Sequence, residues 1–223
     1  MDENFDKALV ASAFDLLDQV GWRGLSVAQA ARAAGLPLDH ARARFPFREA
    51  ILLRFGVLAD QVALKDAPSE GPSRDRLFDI VMRRIDALQV SRNGVLALLR
   101  TLPGEPALAL MLTCASLRSM AWLLEGAGIS ATGPIGALRT KGMLAVWLWT
   151  IRAWQRDDSI DLSATMAALD VALNRAEQAA GWLPRSRREP ISEKPPSEPS
   201  GMTEEVPQPP PFTPPEPPAS PPI

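Results

Sequence analysis

An all-α fold of about nine helices is predicted by three observations. Apolar residues recur at three- and four-residue spacing from Phe5 to about Ala180, serine, glycine and proline punctuate those stretches, and no run alternates apolar with polar β-branched residues. The prolines then divide the chain. Fifteen of its 22 lie at or beyond Pro184, so residues 1–183 read as globular and residues 184–223 as a disordered, proline-rich tail that cannot bury enough apolar surface to offset its ordering entropy.

The first helix follows from the stripe Phe5, Leu9, Ala13, Leu16, Leu17 and Val20, with Gly21 where a C-terminal cap is expected. Ser26 and Gln29 form a capping box for a short second helix to about Ala34, and Gly35-Leu36-Pro37 stops it. A third short helix spans Leu38 to Phe45. Pro46 ends it, and a longer fourth helix runs from Arg48 to about Leu64 on Ile51, Leu52, Phe55 and Leu58. After the polar break Ala67 to Ser73, helices are predicted over Asp75 to Leu88 and Arg92 to Leu102. The helix from Pro106 to Gly126 carries only Arg118 and Glu125 as charges, which places it centrally or at an interface. Pro134 opens the eighth, which runs to Arg156 with Leu144, Trp147, Ile151 and Trp154 on one stripe. Ser163 opens the ninth, ending near Ala180-Gly181.

Composition removes several classes of function. One cysteine, Cys114, excludes an intramolecular disulfide, and one histidine, His40, leaves no Cys/His cluster for zinc. No Gly-x-Ser-x-Gly nucleophile signature exists, so the chain is expected not to be an enzyme and to need no cofactor or metal. Asp2, Glu3 and Asp6 stand where a secretory peptide would carry positive charge. The apolar run Gly142 to Ile151 is about half the ~20 residues a bilayer crossing requires. A cytoplasmic protein without a membrane span is the expectation. Asp157, Asp158 and Asp161 lack the glycine and terminal glutamate of a calcium loop and read as a charged interhelical turn, while Cys114 reads as a small packed hydrophobe.

The residues Ala13-x-x-Leu16-Leu17, Val20-Gly21-Trp22, Leu25-Ser26-Val27, Ala30-Ala31, Ala34-Gly35-Leu36 and Phe45-Pro46-x-Arg48-Glu49-Ala50-Ile51-Leu52 resemble the DNA-binding head of the tetracycline-repressor (TetR) family. The resemblance covers about the first 55 residues. It implies a helix-turn-helix head over residues 1–56, a helical ligand-binding and dimerisation body over residues 57–183, and a homodimer on double-stranded DNA. Leu38 to Phe45 would be the recognition helix, so Ser26, Pro37, Leu38, His40, Arg42, Arg44 and Arg48 are the implied DNA-binding residues. Arg42 stands where the family's phosphate-contacting tyrosine is usual, and Phe47 replaces the usual Ser or Asn cap. From Gly21 to Gly56 six arginines face only Asp39 and Glu49, a local excess of four positive charges. Arg42 and Arg44 therefore have two readings, DNA contact or the solvated face of a surface helix pair.

A second, shorter resemblance rests on Arg139-Thr140-Lys141-Gly142-Met143-Leu144-Ala145-Val146, Thr150, Asp157-Asp158-Ser159, Thr165 and Leu169-Asp170. These look like the C-terminal region of the TetR-like lipid-binding accessory protein of ubiquinone biosynthesis. That likeness implies an alternative function, a lipid-binding body with a non-functional head.

For a small apolar or amphipathic ligand the candidates are Met111, Arg118, Met120, Trp122 and Trp147, on the two most apolar helices. Core packing is the competing reading for the tryptophans. Arg118 either anchors a carboxylate or lipid head group or pairs with a carboxylate of another helix. In the tail, Arg185, Arg187 and Arg188 form a basic cluster, and Pro-x-x-Pro spacings at Pro196, Pro207 and Pro214 fit either polyproline II recognition or a semi-rigid spacer. The overall expectation is a ligand-responsive DNA-binding transcriptional regulator, a repressor in its default mode.

Overall fold

The computed structural model describes residues 2–181; the tail, with its basic cluster and its Pro-x-x-Pro spacings, lies outside them. Among the described residues there are nine α-helices and no strand: α1 (Asp2–Gly24), α2 (Val27–Ala33), α3 (Leu38–Arg44), α4 (Glu49–Leu64), α5 (Ser73–Gln89), α6 (Arg92–Thr101), α7 (Pro106–Gly126), α8 (Gly133–Trp154) and α9 (Ser163–Gly181), with a 3-10 turn at Leu102–Gly104 before α7.

The boundaries have local causes. Gly21 takes φ +70°, so the first helix breaks there and only one further turn reaches Gly24. Ser26 caps α2 by accepting from the Gln29 amide at 3.2 Å, and its hydroxyl donates to Gln29 Oε1 at 2.9 Å; the predicted return of the Gln29 side chain is thus made to the hydroxyl. Gly35, at φ +66°, closes α2 in a Schellman turn in which the Leu36 amide donates to the Ala31 carbonyl at 2.8 Å. The α2–turn–α3 unit that results has the short, glycine-containing connection of a helix-turn-helix.

Helices α1, α2, α3 and the start of α4 share a core of Leu9, Val10, Trp22, Ala31, Phe45 and Ile51. α1 continues past this core to pack along α6, and α4 packs on α5 and α7, so both helices belong to the head and to the body. α8 packs on α7 and, most extensively, on α9. The predicted α8 stripe is inward: Trp147, Ile151 and Trp154 are buried and Leu144 half-buried.

α7 carries two departures from expectation. Among the described residues it is the one helix long and apolar enough to span a bilayer by length and composition, a property the sequence reading assigned to no segment. Its inner face, Leu108, Ser119, Met120, Leu123 and Leu124, is buried against the neighbouring helices, while Leu110 and Trp122 are exposed. Cys114 is exposed on the outer face and not packed, because α7 turns only one side to the core.

Candidate functional site

Two regions gather polar side chains whose positions the fold fixes. The first is the exposed end of the head. α3 buries only Ala41, and Pro37, Leu38, Asp39, His40, Arg42 and Ala43 are open to solvent. Seven residues with one small buried contact cannot hold a helix against the protein by hydrophobic burial alone.

Polar ties make up the difference. Asp6 of α1, almost fully buried, receives Arg44 through two charge-assisted bonds, Nε to Oδ1 at 2.6 Å and Nη2 to Oδ2 at 2.7 Å. Arg54 of α4 approaches the same carboxylate at 2.7 Å. Hydrogen bonding from Arg44, and then the charges of Arg44 and Arg54, hold the Asp6 carboxyl below its ordinary range against the opposing effect of burial. One carboxylate thereby ties α1, α3 and α4. Arg48 at the head of α4 lies over the Trp22 ring at 4.4 Å, donates to the Trp22 carbonyl at 3.1 Å and meets Glu49 at 3.3 Å.

The implied DNA-binding residues therefore divide. Arg44 and Arg48 tie the helices of the head together, Arg44 while remaining exposed, and Ser26 is a cap. Leu38, His40 and Arg42 are outward; Arg42 donates to the Pro46 carbonyl at 2.9 Å, and the His40 ring stands 6.2 Å from that of Phe5. Asp6, Arg54 and Trp22 are the partners that sequence reasoning missed. The signal was there for Asp6, which sits between Phe5 and Leu9 on the buried stripe, a place for a carboxylate only if it is paired.

The second region is a cavity of about 640 Å³, partly open to solvent, lined by α1, α4, α5, α6, α7 and α8. Its wall is mainly leucine, with Phe14 of α1 against Phe55 of α4 at 4.0 Å between ring centroids. Into this wall come Asp60, Arg84 and Ser119. Arg84 Nε donates to Asp60 Oδ1 at 2.7 Å, Ser119 donates to Asp60 Oδ2 at 2.5 Å, and the Arg84 guanidinium lies 4.2 Å over the Trp147 ring.

Of the predicted ligand residues, Arg118, Trp122 and Trp147 line this cavity, and Met111 and Met120 do not. Met120 is wholly enclosed in the core, whereas Met111 shares the helix face of Arg118 and Trp122 but lies nearer the start of α7. Trp147 is at once wall and core, being 5% exposed, whereas Trp122 is 61% exposed at the margin. Asp60, Arg84 and Ser119 were missed, although Arg84 interrupts the apolar stripe Leu77, Ile80, Val81, Ile85 and Leu88. A second cavity, about 570 Å³, lies among α5, α7, α8 and α9, between Leu77, Leu124, Met143 and Leu173.

Solved structures share this arrangement of helices. A TetR transcriptional regulator from Nitrosomonas europaea is 21% identical with a TM-score of 0.62, over 78% of this chain and 98% of that one. A putative TetR-family regulator from a Rhodococcus species is 19% identical with a TM-score of 0.50, over 76% and 99%. The chain has the TetR-type fold. No protein-family model and no curated protein matches it.

In this TetR-type frame the residues of the second resemblance have structural roles. Thr140 and Thr150 return their hydroxyls to the carbonyls of Gly136 and Val146, both at 2.9 Å within α8. Asp157 organises the α8–α9 turn: Oδ2 accepts from the Thr165 amide and hydroxyl, each at 2.7 Å, and Oδ1 accepts from the Ser159 amide at 3.1 Å and from the Ser159 hydroxyl. The predicted charged turn is therefore a capped junction.

Proposed function

We propose that this chain is a ligand-responsive, homodimeric DNA-binding transcriptional regulator acting as a repressor, with residues 1–56 as the DNA-binding head, residues 57–183 as the body and the tail outside both. The observation that carries the reading is a helix-turn-helix whose second helix is solvent-exposed on nearly every side, built on the same two helices that wall the cavity. α1 supplies Asp6 to the head and Phe14 to the cavity; α4 supplies Arg54 to the head and Phe55 and Asp60 to the cavity. A ligand that displaces Phe14 or Phe55 would move the helices that hold Arg44, which gives an effector a differential hold on the recognition helix.

Arg42, His40 and Leu38 are the groove-facing residues in this reading, with Pro37 at the helix start. Arg44 and Arg48 act through position, Arg44 on α3 through Asp6 and Arg48 on the start of α4 through Trp22. Arg32 of α2, exposed and without a partner among the described residues, is a further phosphate ligand. Asp39 opposes them, so the affinity must come from few charges.

Selection from a random duplex library with the full chain tests the proposal. The expected result is a near-palindromic site with half-sites about 34 Å apart or a multiple of that. If Arg42 contacts a phosphate, Arg42→Ala should lower the salt slope of log affinity by about one and weaken all sequences alike; if it grips a guanine, one position of the site should relax at a cost of about 1–3 kcal/mol. A library that enriches no sequence at low salt removes the proposal.

A further inference from the structure

The charges in the 640 Å³ cavity do not cancel. Three charged side chains line it among the described residues: Asp60, Arg84 and Arg118. Asp60 has both oxygens committed, one to Arg84 Nε and the other to the Ser119 hydroxyl. Arg84 is only 5% exposed, yet its remaining donors are poorly served. Nη2 reaches Ser119 only at 3.5 Å, the limit of a hydrogen bond, and Nη1 meets no acceptor among the described residues. Arg118 precedes Ser119 on α7 and is exposed, and no carboxylate or acceptor among the described residues meets it. The site therefore holds one positive charge in excess, with unmet guanidinium donors in a largely apolar wall that also carries Gln61, Thr113 and Ser116.

We propose that the cavity takes an apolar monocarboxylate, with its hydrocarbon or aromatic body against the leucine and phenylalanine wall and its carboxylate between Arg84 and Arg118. Arg84 still has Nη1 without an acceptor among the described residues and Arg118 has none, and a planar carboxylate is the acceptor whose geometry and charge a guanidinium matches best. A neutral ligand leaves the excess charge in place, a cation adds to it, and a dianion reverses it. The volume lies inside the about 300–1,000 Å³ usual for sites of small apolar ligands. Leu98, Leu112 and Phe14 belong to the apolar part of the wall and receive the body. This inference rests on the reading of the cavity as the effector site.

The test is titration calorimetry on the full chain with two matched sets of probes, dodecanoate against dodecanol and dodecyltrimethylammonium, and naphthoate against naphthylmethanol. In at least one set the acid should bind about tenfold or more tighter than its alcohol, at one per chain, with the ammonium compound weakest. Arg118→Gln, at an exposed position where folding is not at stake, should cut the preference for the acid about tenfold, with Arg84 keeping the remainder. An alcohol bound as tightly as its acid, preference for the cation, no binding from either set, or a preference undiminished in Arg118→Gln each overturns the inference. Acid binding by a chain that selects no duplex retains the inference and removes the regulator; duplex selection by a chain that prefers the alcohol does the reverse.

Discussion

Asp157 shows how much one buried carboxylate can hold. Its two oxygens accept from Ser159 and Thr165, through both amides and both hydroxyls, so the junction between α8 and α9 is organised on a charge with every site occupied. The Ser159 hydroxyl first, and then the Thr165 bonds, outweigh burial and lower its pKa from the ordinary 3.8 to about 2. A folded-state pKa below the unfolded one means the stabilisation is complete above the unfolded value and is lost as pH falls from about 4 through about 2. Asp157→Asn should therefore lower stability at neutral pH and flatten the acid limb of the unfolding curve in that window. Thr165→Val, which removes one donor and leaves the carboxylate, should cost about 0.5–1.5 kcal/mol. Chemical denaturation from pH 2 to 7 checks both. An acid limb in Asp157→Asn as steep as in the parent chain would mean that other carboxylates govern it.

At the level of helices, α1 and α6 cross with their backbones in contact at Gly94. A Cβ built on Gly94 would lie 2.2 Å from the Phe14 carbonyl oxygen and 2.8 Å from its carbon, so the two backbones touch without side chains between them. Gly94→Ala must separate them, and a backbone carbonyl cannot swing aside as a side chain can. The expected cost is about 1–3 kcal/mol, with a shift of Phe14 in the cavity. Gly56 in α4 gives the contrast: a Cβ there meets nothing within 4 Å, so Gly56→Ala should gain about 0.5–1 kcal/mol from helix propensity alone. Thermal unfolding of the two variants checks the pair, and equal behaviour would remove the close crossing as its cause.

The same helices show what sequence could reveal. Their existence and their ends were legible because caps and stripes are local; Gly21, Ser26 and Gly35 act where spacing placed them. The pairings were not, because nothing local to Asp6 says that Arg44 will meet it from 38 positions away, or that Arg84 will find Asp60 from 24. Arg44 and Arg48 read as DNA contacts in the sequence, and the fold also uses them as ties within the head. Arg118, Trp122 and Trp147 were candidates for the cavity, against the competing readings of core packing for the tryptophans and an ion pair for Arg118. Met111 and Met120 were not separable from them, since Met111 falls on the same face of α7 as Arg118 and Trp122 and nothing local to Met120 shows that it is enclosed.

Beyond the single chain, α8 and α9 leave an apolar face uncovered. Leu138, Ala145, Leu148 and Trp149 of α8 are exposed, and beside them on α9 stand Ala164, Ala167 and Val171, a low surface on which a second pair of helices can pack closely. Trp149 is 50% exposed, with Arg175 5.6 Å from its ring centroid on the α9 side. A twofold four-helix interface would cover this row with its own copy. Trp149→Glu should then yield a monomer with unchanged helix content, because the side chain has solvent to enter. Trp147→Glu should unfold the chain instead, since Trp147 is packed inside and carries the Arg84 guanidinium. Sedimentation with circular dichroism separates these outcomes, and a parent chain that sediments as a monomer at tens of micromolar rejects the dimer. The consequence reaches the head. A duplex site with two half-sites is held tightly only when two recognition helices share one rigid body, so the Trp149→Glu monomer should lose most affinity for a palindrome while keeping its weak, salt-sensitive affinity for a single half-site. Equal affinity of monomer and dimer for the palindrome would mean that each head binds alone.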